Sequence, residues 1–221
     1  MVQRRICAVS GSAPVKKLPI VTYTVIGLCV LVYIAETLDW RSVETALDSL
    51  LAAGGLQRVF GLLAVTLVHS RSSPMHIVFN LLAFSVLGRL IEMMYGSLRL
   101  VLLLVALAWV SSAAQLLFAG IGIGLSGVVY GIFGFMLGAA PRNPFLWWFV
   151  KKNATMLIGW AVLCVVLTEM HVMQIANTAH FGGLFYGAII GLIYGLPRFR
   201  YAFLVLTILI PIIFLVWSWN A

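Results

Sequence analysis

Long apolar runs constrain this chain more than anything else in it. Residues 201–219 carry no charged side chain, and 75–95, 98–119 and 176–195 are nearly as apolar. A helix that crosses a bilayer needs about 17–25 such residues. Only 9% of the 221 residues are charged, where a soluble domain carries about 25%. A chain this apolar has too few polar groups to cover its own surface in water, and it belongs in a membrane. The runs predict seven spans: 18–38, 75–95, 98–119, 124–140, 154–171, 176–195 and 201–219. The expected fold class is an all-α polytopic membrane protein. The connection 39–74 holds two apolar patches, "LDSLLAAGG" and "VFGLLAVTLVH", that read as short helices lying in the interface.

The charges sort by side. Alternate loops hold Arg4, Arg5, Lys16 and Lys17; Arg89 and Arg99; Arg142, Lys151 and Lys152; and Arg198 and Arg200. The opposite side holds Arg41, Arg58 and Arg71, with Asp39, Glu44, Asp48 and Glu169. Lys and Arg collect on the cytoplasmic face, so the N-terminus is expected in the cytoplasm and the C-terminus outside. The net charge of +8 is therefore a topology signal and argues against nucleic acid as a partner. No A-x-A-like site follows the first run, which predicts an uncleaved first span. Cys7, Cys29 and Cys164 form no spaced pair, which argues against a disulfide framework or a Cys-based zinc site.

Glycines recur at helical spacing on two spans. Gly183, Gly187, Gly191 and Gly195 lie four apart on the sixth; Gly124, Gly127, Gly131, Gly134 and Gly138 lie three or four apart on the fourth. Small residues so spaced let helix backbones approach closely, so the two spans are expected to be neighbours.

Four polar residues inside these spans stand out: His76 and Asn80 on the second, Ser126 on the fourth, His180 on the sixth. Polar groups in a span are costly and mark function by default. The topology puts all four at similar depth in the outer half. Their chemistry suits acyl transfer. A serine hydroxyl needs an adjacent base, which His180 supplies. His76 and Asn80, four apart, share one helix face and offer donors to an oxyanion, as does the Ser126 N–H near its helix start. Gly127 lets backbone approach. Glu92 lies on the cytoplasmic side and Glu169 near the outer mouth, so a Ser–His dyad is the economical reading. The ordinary alternatives are a back-bonding serine and interfacial histidines, which His69 and His171 fit. No ligand spacing supports a metal, and no cofactor is expected.

At these residues the sequence resembles the rhomboid intramembrane serine proteases. "GLSGVVYG" (Gly124–Gly131) is similar to their nucleophile segment, "AHFGG" (Ala179–Gly183) to their general-base segment and "HIVFN" (His76–Asn80) to their H-x-x-x-N pair. The resemblance covers 56–195 and implies six core spans plus a seventh. The expected organisation is a basic cytoplasmic tail, 1–17; a six-helix protease core, 18–195, with an embedded loop, 39–74; and a C-terminal seventh helix, 196–221.

The resemblance implies Ser126 as nucleophile and His180 as base. It implies His76, Asn80 and the Ser126 amide as oxyanion hole, and Tyr130 packed on the His180 ring. Gly124 matches the first motif glycine. Residues 169–177 would cap the site, and the fifth span would form part of a lateral gate. Substrates would be single-span membrane proteins cut near small residues where their helices unwind easily. The enzyme would lie in a bacterial inner membrane, its site open to the periplasm. The family's first-loop Trp-Arg pair has two candidates, Trp40–Arg41 and Gln57–Arg58. Position 128 is Val, so the motif is not the G-x-S-x-G elbow of α/β-hydrolases. The alternative on the same scaffold is a catalytically silent binder or quality-control factor of membrane proteins. Leu125, where inactive relatives carry proline, and the complete dyad argue for an enzyme.

Overall fold

A computed structural model describes residues 18–220. The basic tail, 1–17, and Cys7 lie outside the described residues. The chain is helical throughout, with no strand among the described residues. The helices are α1 (Ile20–Leu38), α2 (Trp40–Ala52), α3 (Gly55–Ala64), α4 (Pro74–Tyr95), α5 (Ser97–Ala119), α6 (Ser126–Ala139), α7 (Pro144–Glu169), α8 (Asn177–Gly195) and α9 (Arg200–Asn220). Six of them, all but α2, α3 and α6, are long and apolar enough to cross a membrane. The expected interfacial helices of 39–74 are α2 and α3, joined at Gly54 and Gly55, whose φ angles of +74° and +54° suit glycine.

Two spans differ from their expected bounds. The fourth, expected over 124–140, is a helix of 14 residues, about 21 Å long at 1.5 Å per residue. That is less than the hydrocarbon thickness of about 30 Å. Gly120 and Gly124 take φ of +81° and +107° and hold 120–125 out of the helix, so α6 starts inside the protein. The fifth, expected over 154–171, begins ten residues earlier, at Pro144. The Asn143 side chain accepts the Leu146 N–H at 3.1 Å, and proline fits the first helical position. Lys151 and Lys152 therefore belong to α7. Their ammonium groups stand 4.7 and 5.0 Å from the Trp147 and Trp148 ring centres, which keeps the cations at the interface.

The core is built on α6, buried on nearly every side. Its tightest neighbour is α8, as the glycine spacing predicts. A methyl group at Gly183, Gly187, Gly191 or Gly195 would collide with the carbonyl oxygen of Gly127, Gly131, Phe135 or Gly138. From the other side, methyls at Gly134 and Gly138 would meet the carbonyls of Leu184 and Ala188. The two helices thus touch backbone to backbone. Leu107 of α5 and Phe84 of α4, both fully buried, pack in the same core cluster.

Glu92, expected only to face the cytoplasmic side, ties the first span to this core. It is buried near the end of α4 and accepts the N–H groups of Val21 and Thr22, each at 2.9 Å, and the Thr22 hydroxyl at 2.7 Å. These are unpaired amides of the first turn of α1, where a negative charge is favoured. The Ser97 hydroxyl donates to the other side of the carboxylate at 2.7 Å. On the far side of the core, the Tyr186 hydroxyl donates to the Thr207 carbonyl at 2.8 Å and joins α8 to α9.

Candidate active site

The buried start of α6 carries the site. Gly124 donates its N–H to the Val65 carbonyl at 3.0 Å, which fastens the segment before α6 to the end of the interfacial hairpin. Ser126 is the first residue of the helix. The first intrahelical bond closes from Val129 N–H to Leu125 C=O at 3.0 Å, so the N–H groups of Ser126, Gly127 and Val128 have no helical partner. A methyl at Gly127 would fall 2.8 Å from the Ser111 hydroxyl, so that glycine lets α5 approach as well as α8.

His180 lies one turn into α8, and the α6–α8 contact brings it to Ser126. Its Nε2 is 2.7 Å from the serine Oγ. The Tyr130 ring lies flat on the imidazole, with centroids 4.5 Å apart and planes 5° from parallel. The His180 Nδ1 and the Tyr130 hydroxyl are both buried without a hydrogen-bond partner. With Nε2 accepting from the serine, the neutral ring carries its hydrogen on Nδ1. No carboxylate is bonded to Nδ1; the flat tyrosine face lies against the ring instead.

His76 and Asn80 face the same point from α4. The Ser70 N–H donates to His76 Nδ1 at 3.2 Å, so the neutral ring holds its proton on Nε2. That nitrogen faces Gly124: a methyl there would be 2.7 Å from His76 Nε2 and 3.8 Å from Asn80 Nδ2. Asn80 is buried and spends one hydrogen on the His76 carbonyl at 2.8 Å, leaving the other free. The structure thus brings Ser126, His180, His76, Asn80, Tyr130, Gly124 and Gly127 together.

Two further residues shape this region. Gln115, on α5, accepts the Ala179 N–H at 3.0 Å and steadies the first turn of α8 just before His180. It is a buried amide near the end of an apolar span that the charges predict to face outward, so the depth argument that selected His180 applied to it equally. His69, expected at the interface, is fully buried. Its ring centre is 5.2 Å from that of His76, its Nδ1 is 3.0 Å from the Leu67 carbonyl and its Nε2 has no partner. Burial pushes its pKa down to about 4, with the neighbouring His76 adding to the shift and the Leu67 carbonyl opposing it. His171 stays exposed after α7 with φ +55°. Among the described residues, no three His, Cys, Asp or Glu side chains gather as a metal site.

Comparison with known proteins decides the family. The family model for the Rhomboid domain matches residues 56–197. The chain belongs to the rhomboid family of intramembrane serine proteases. Among rhomboid relatives, the Rhomboid protease GlpG of Haemophilus influenzae is 31% identical over 180 residues, 79% of this chain and 88% of that protein. The Rhomboid proteases GlpG of Salmonella choleraesuis and Salmonella newport are each 34% identical over 175 residues, 76% of this chain. This chain spans 60% of the length of those two. The matched rhomboid region runs from the start of α3 to the end of α8 and leaves α9 outside it.

Proposed function

We propose that Ser126 and His180 form a catalytic dyad that hydrolyses peptide bonds in or beside the membrane-spanning segments of single-span proteins. The observation that carries the reading is the 2.7 Å separation of His180 Nε2 from Ser126 Oγ, with the imidazole held flat on Tyr130. The serine Oγ attacks the scissile carbonyl carbon as its proton passes to His180 Nε2. The oxyanion meets the Ser126 N–H, His76 Nε2–H and the free Asn80 hydrogen, donors already in place before charge develops. The tetrahedral carbon then expels the amine, which takes the proton from His180. Water, activated by the same nitrogen, cleaves the acyl ester and restores the serine. While His180 is an imidazolium, the π face of Tyr130 stabilises the cation in place of a carboxylate.

The topology supports a site open to the periplasmic face of a bacterial inner membrane, with the N-terminus in the cytoplasm. Water reaches it where the irregular backbone of 120–125 lines the mouth, because backbone out of helix is tolerated at membrane depth only beside a polar cavity or within protein. A substrate enters by unwinding, which glycine makes easier by about 1 kcal/mol per residue relative to alanine. The lateral gate assigned to α7 fits its few polar ties. Asn177 Nδ2 donates to the Thr168 hydroxyl at 2.9 Å, and Trp160 meets Phe79 edge-on at 5.6 Å. Behind Tyr130 a wholly apolar crevice of about 360 Å³ separates α7 from α8, lined by Leu157, Ala161, Val165 and Phe181. The silent-binder alternative is not favoured, since both dyad side chains are present and hydrogen-bonded.

The test is cleavage of a single-span reporter by the wild type and by Ser126→Ala and His180→Ala, with fluorophosphonate labelling alongside. Both variants are expected to accumulate normally and to lose cleavage, and Ser126→Ala to lose the label. Cleavage at the wild-type rate in either variant would sink the dyad.

A further inference from the structure

Arg58, on α3, reaches two helix ends at once. Its Nε donates to the Leu51 carbonyl at 2.8 Å, in the last turn of α2. Its Nη1 donates to the Ser218 carbonyl at 3.1 Å, near the end of α9 and 160 residues away in the chain. Such carbonyls lack intrahelical partners and carry the negative end of the helix dipole, so one guanidinium serves two helices. Beside it, a methyl at Gly55 would lie 3.5 Å from the Trp219 ring, which brings α9 onto the backbone of α3. The other end of α3 leads to the site. Val65 follows the helix, and its carbonyl holds the Gly124 N–H at 3.0 Å, two residues before Ser126.

We infer that α9 is part of the catalytic scaffold and that Arg58 is a positioning residue. Through it the C-terminal helix holds Val65, and with it the Gly124–Ser126 segment, in register with His76 and His180. The inference rests on the reading of Ser126 as nucleophile. It concerns a helix outside the residues matched to the family.

The purified full chain is compared with Arg58→Met and Arg58→Lys by thermal midpoint, rate of fluorophosphonate labelling, and kcat and KM on a single-span substrate. Arg58→Met is expected to slow labelling and kcat per folded molecule by about tenfold, with KM changed by less than about twofold, as for a displaced reacting group. Arg58→Lys, which keeps the charge, recovers part of the rate. A lower thermal midpoint with labelling and kcat unchanged overturns the inference and leaves α9 a brace only. If Arg58→Met does not fold, Trp219→Ala loosens the same joint, and unchanged rates in that variant overturn it equally. Ser126→Ala run in parallel separates the two readings. Label lost there while the Arg58 variants keep full rate defeats the scaffold role alone; label kept there defeats the nucleophile, and the scaffold role with it.

Discussion

Tyr130 meets the proposed catalytic base with its ring and not with its hydroxyl. The hydroxyl has no partner, while the ring lies 4.5 Å from the His180 imidazole. Tyr130→Phe is therefore expected to keep the wild-type kcat. Tyr130→Leu, which fills space without a flat face, should lower it by roughly three- to tenfold, the kinetic equivalent of about 0.5–1.5 kcal/mol for an aromatic stack. Equal rates for the two variants would mean that the stack is not what orients the base. His69 sets an acid limit. Its folded pKa near 4 lies below the value of about 6.5 in an unfolded chain. Between those two values the unfolded chain holds a proton that the folded chain does not. Its contribution to stability is complete above about pH 6.5 and falls away as the pH drops toward 4. Thermal midpoints taken from pH 7.5 to 4.5 should fall toward acid, and His69→Asn should flatten the slope. At this scale, Ser126, His180, His76 and Asn80 were legible because each is a polar group in an apolar run. The roles of Gln115, His69 and Glu92 were not, because each depends on partners distant in the chain: Ala179, Glu36 and Thr22.

Among the helices, the joint between α6 and α8 is the one least able to adjust. A methyl at Gly187 would collide with the Gly131 carbonyl, whereas one at Gly159, on α7, would meet nothing within 4 Å. Gly187→Ala is expected to cost about 1–3 kcal/mol of stability by overpacking, and Gly159→Ala to be neutral or stabilising by up to about 1 kcal/mol. Thermal unfolding in one detergent compares them directly, and an equal loss in both would contradict the joint. The neighbourhood of these helices was readable from glycine spacing alone. The true ends of α6 and α7 were not. Hydropathy averages over a window of residues, while those ends are set locally by the positive φ of Gly120 and Gly124 and by the Asn143 cap. The first-loop pair was open for a similar reason. Trp40 lies under Arg71, 4.8 Å from its ring centre, while Arg58 bonds two carbonyls, and only the folded loop separates those roles.

For the molecule as a whole, the basic residues of the described chain predict one orientation. In a cysteine-free background, a cysteine at the exposed Ser72 should react with an impermeant maleimide added to intact cells. One at the exposed Arg142 should react only after the membrane is opened. The reverse pattern would invert the topology and turn the mouth of the site toward the cytoplasm. Of the seven expected spans, the fourth, α6, is too short a helix to cross, and the other six were legible from hydropathy. The dependence of the loop on α9 was not, because it runs through Arg58 to a helix read as a separate addition. The backbone contact of α6 with α8 also makes the spacing of Ser126 and His180 discontinuous. Carbonyls seated at glycines leave no register between one seat and the next, and the next seat is four residues, or about 6 Å, along the axis. A slip of that size parts Ser126 from His180 altogether. Mutations in the joint should therefore yield full-rate and dead molecules in varying proportion, with few of intermediate rate.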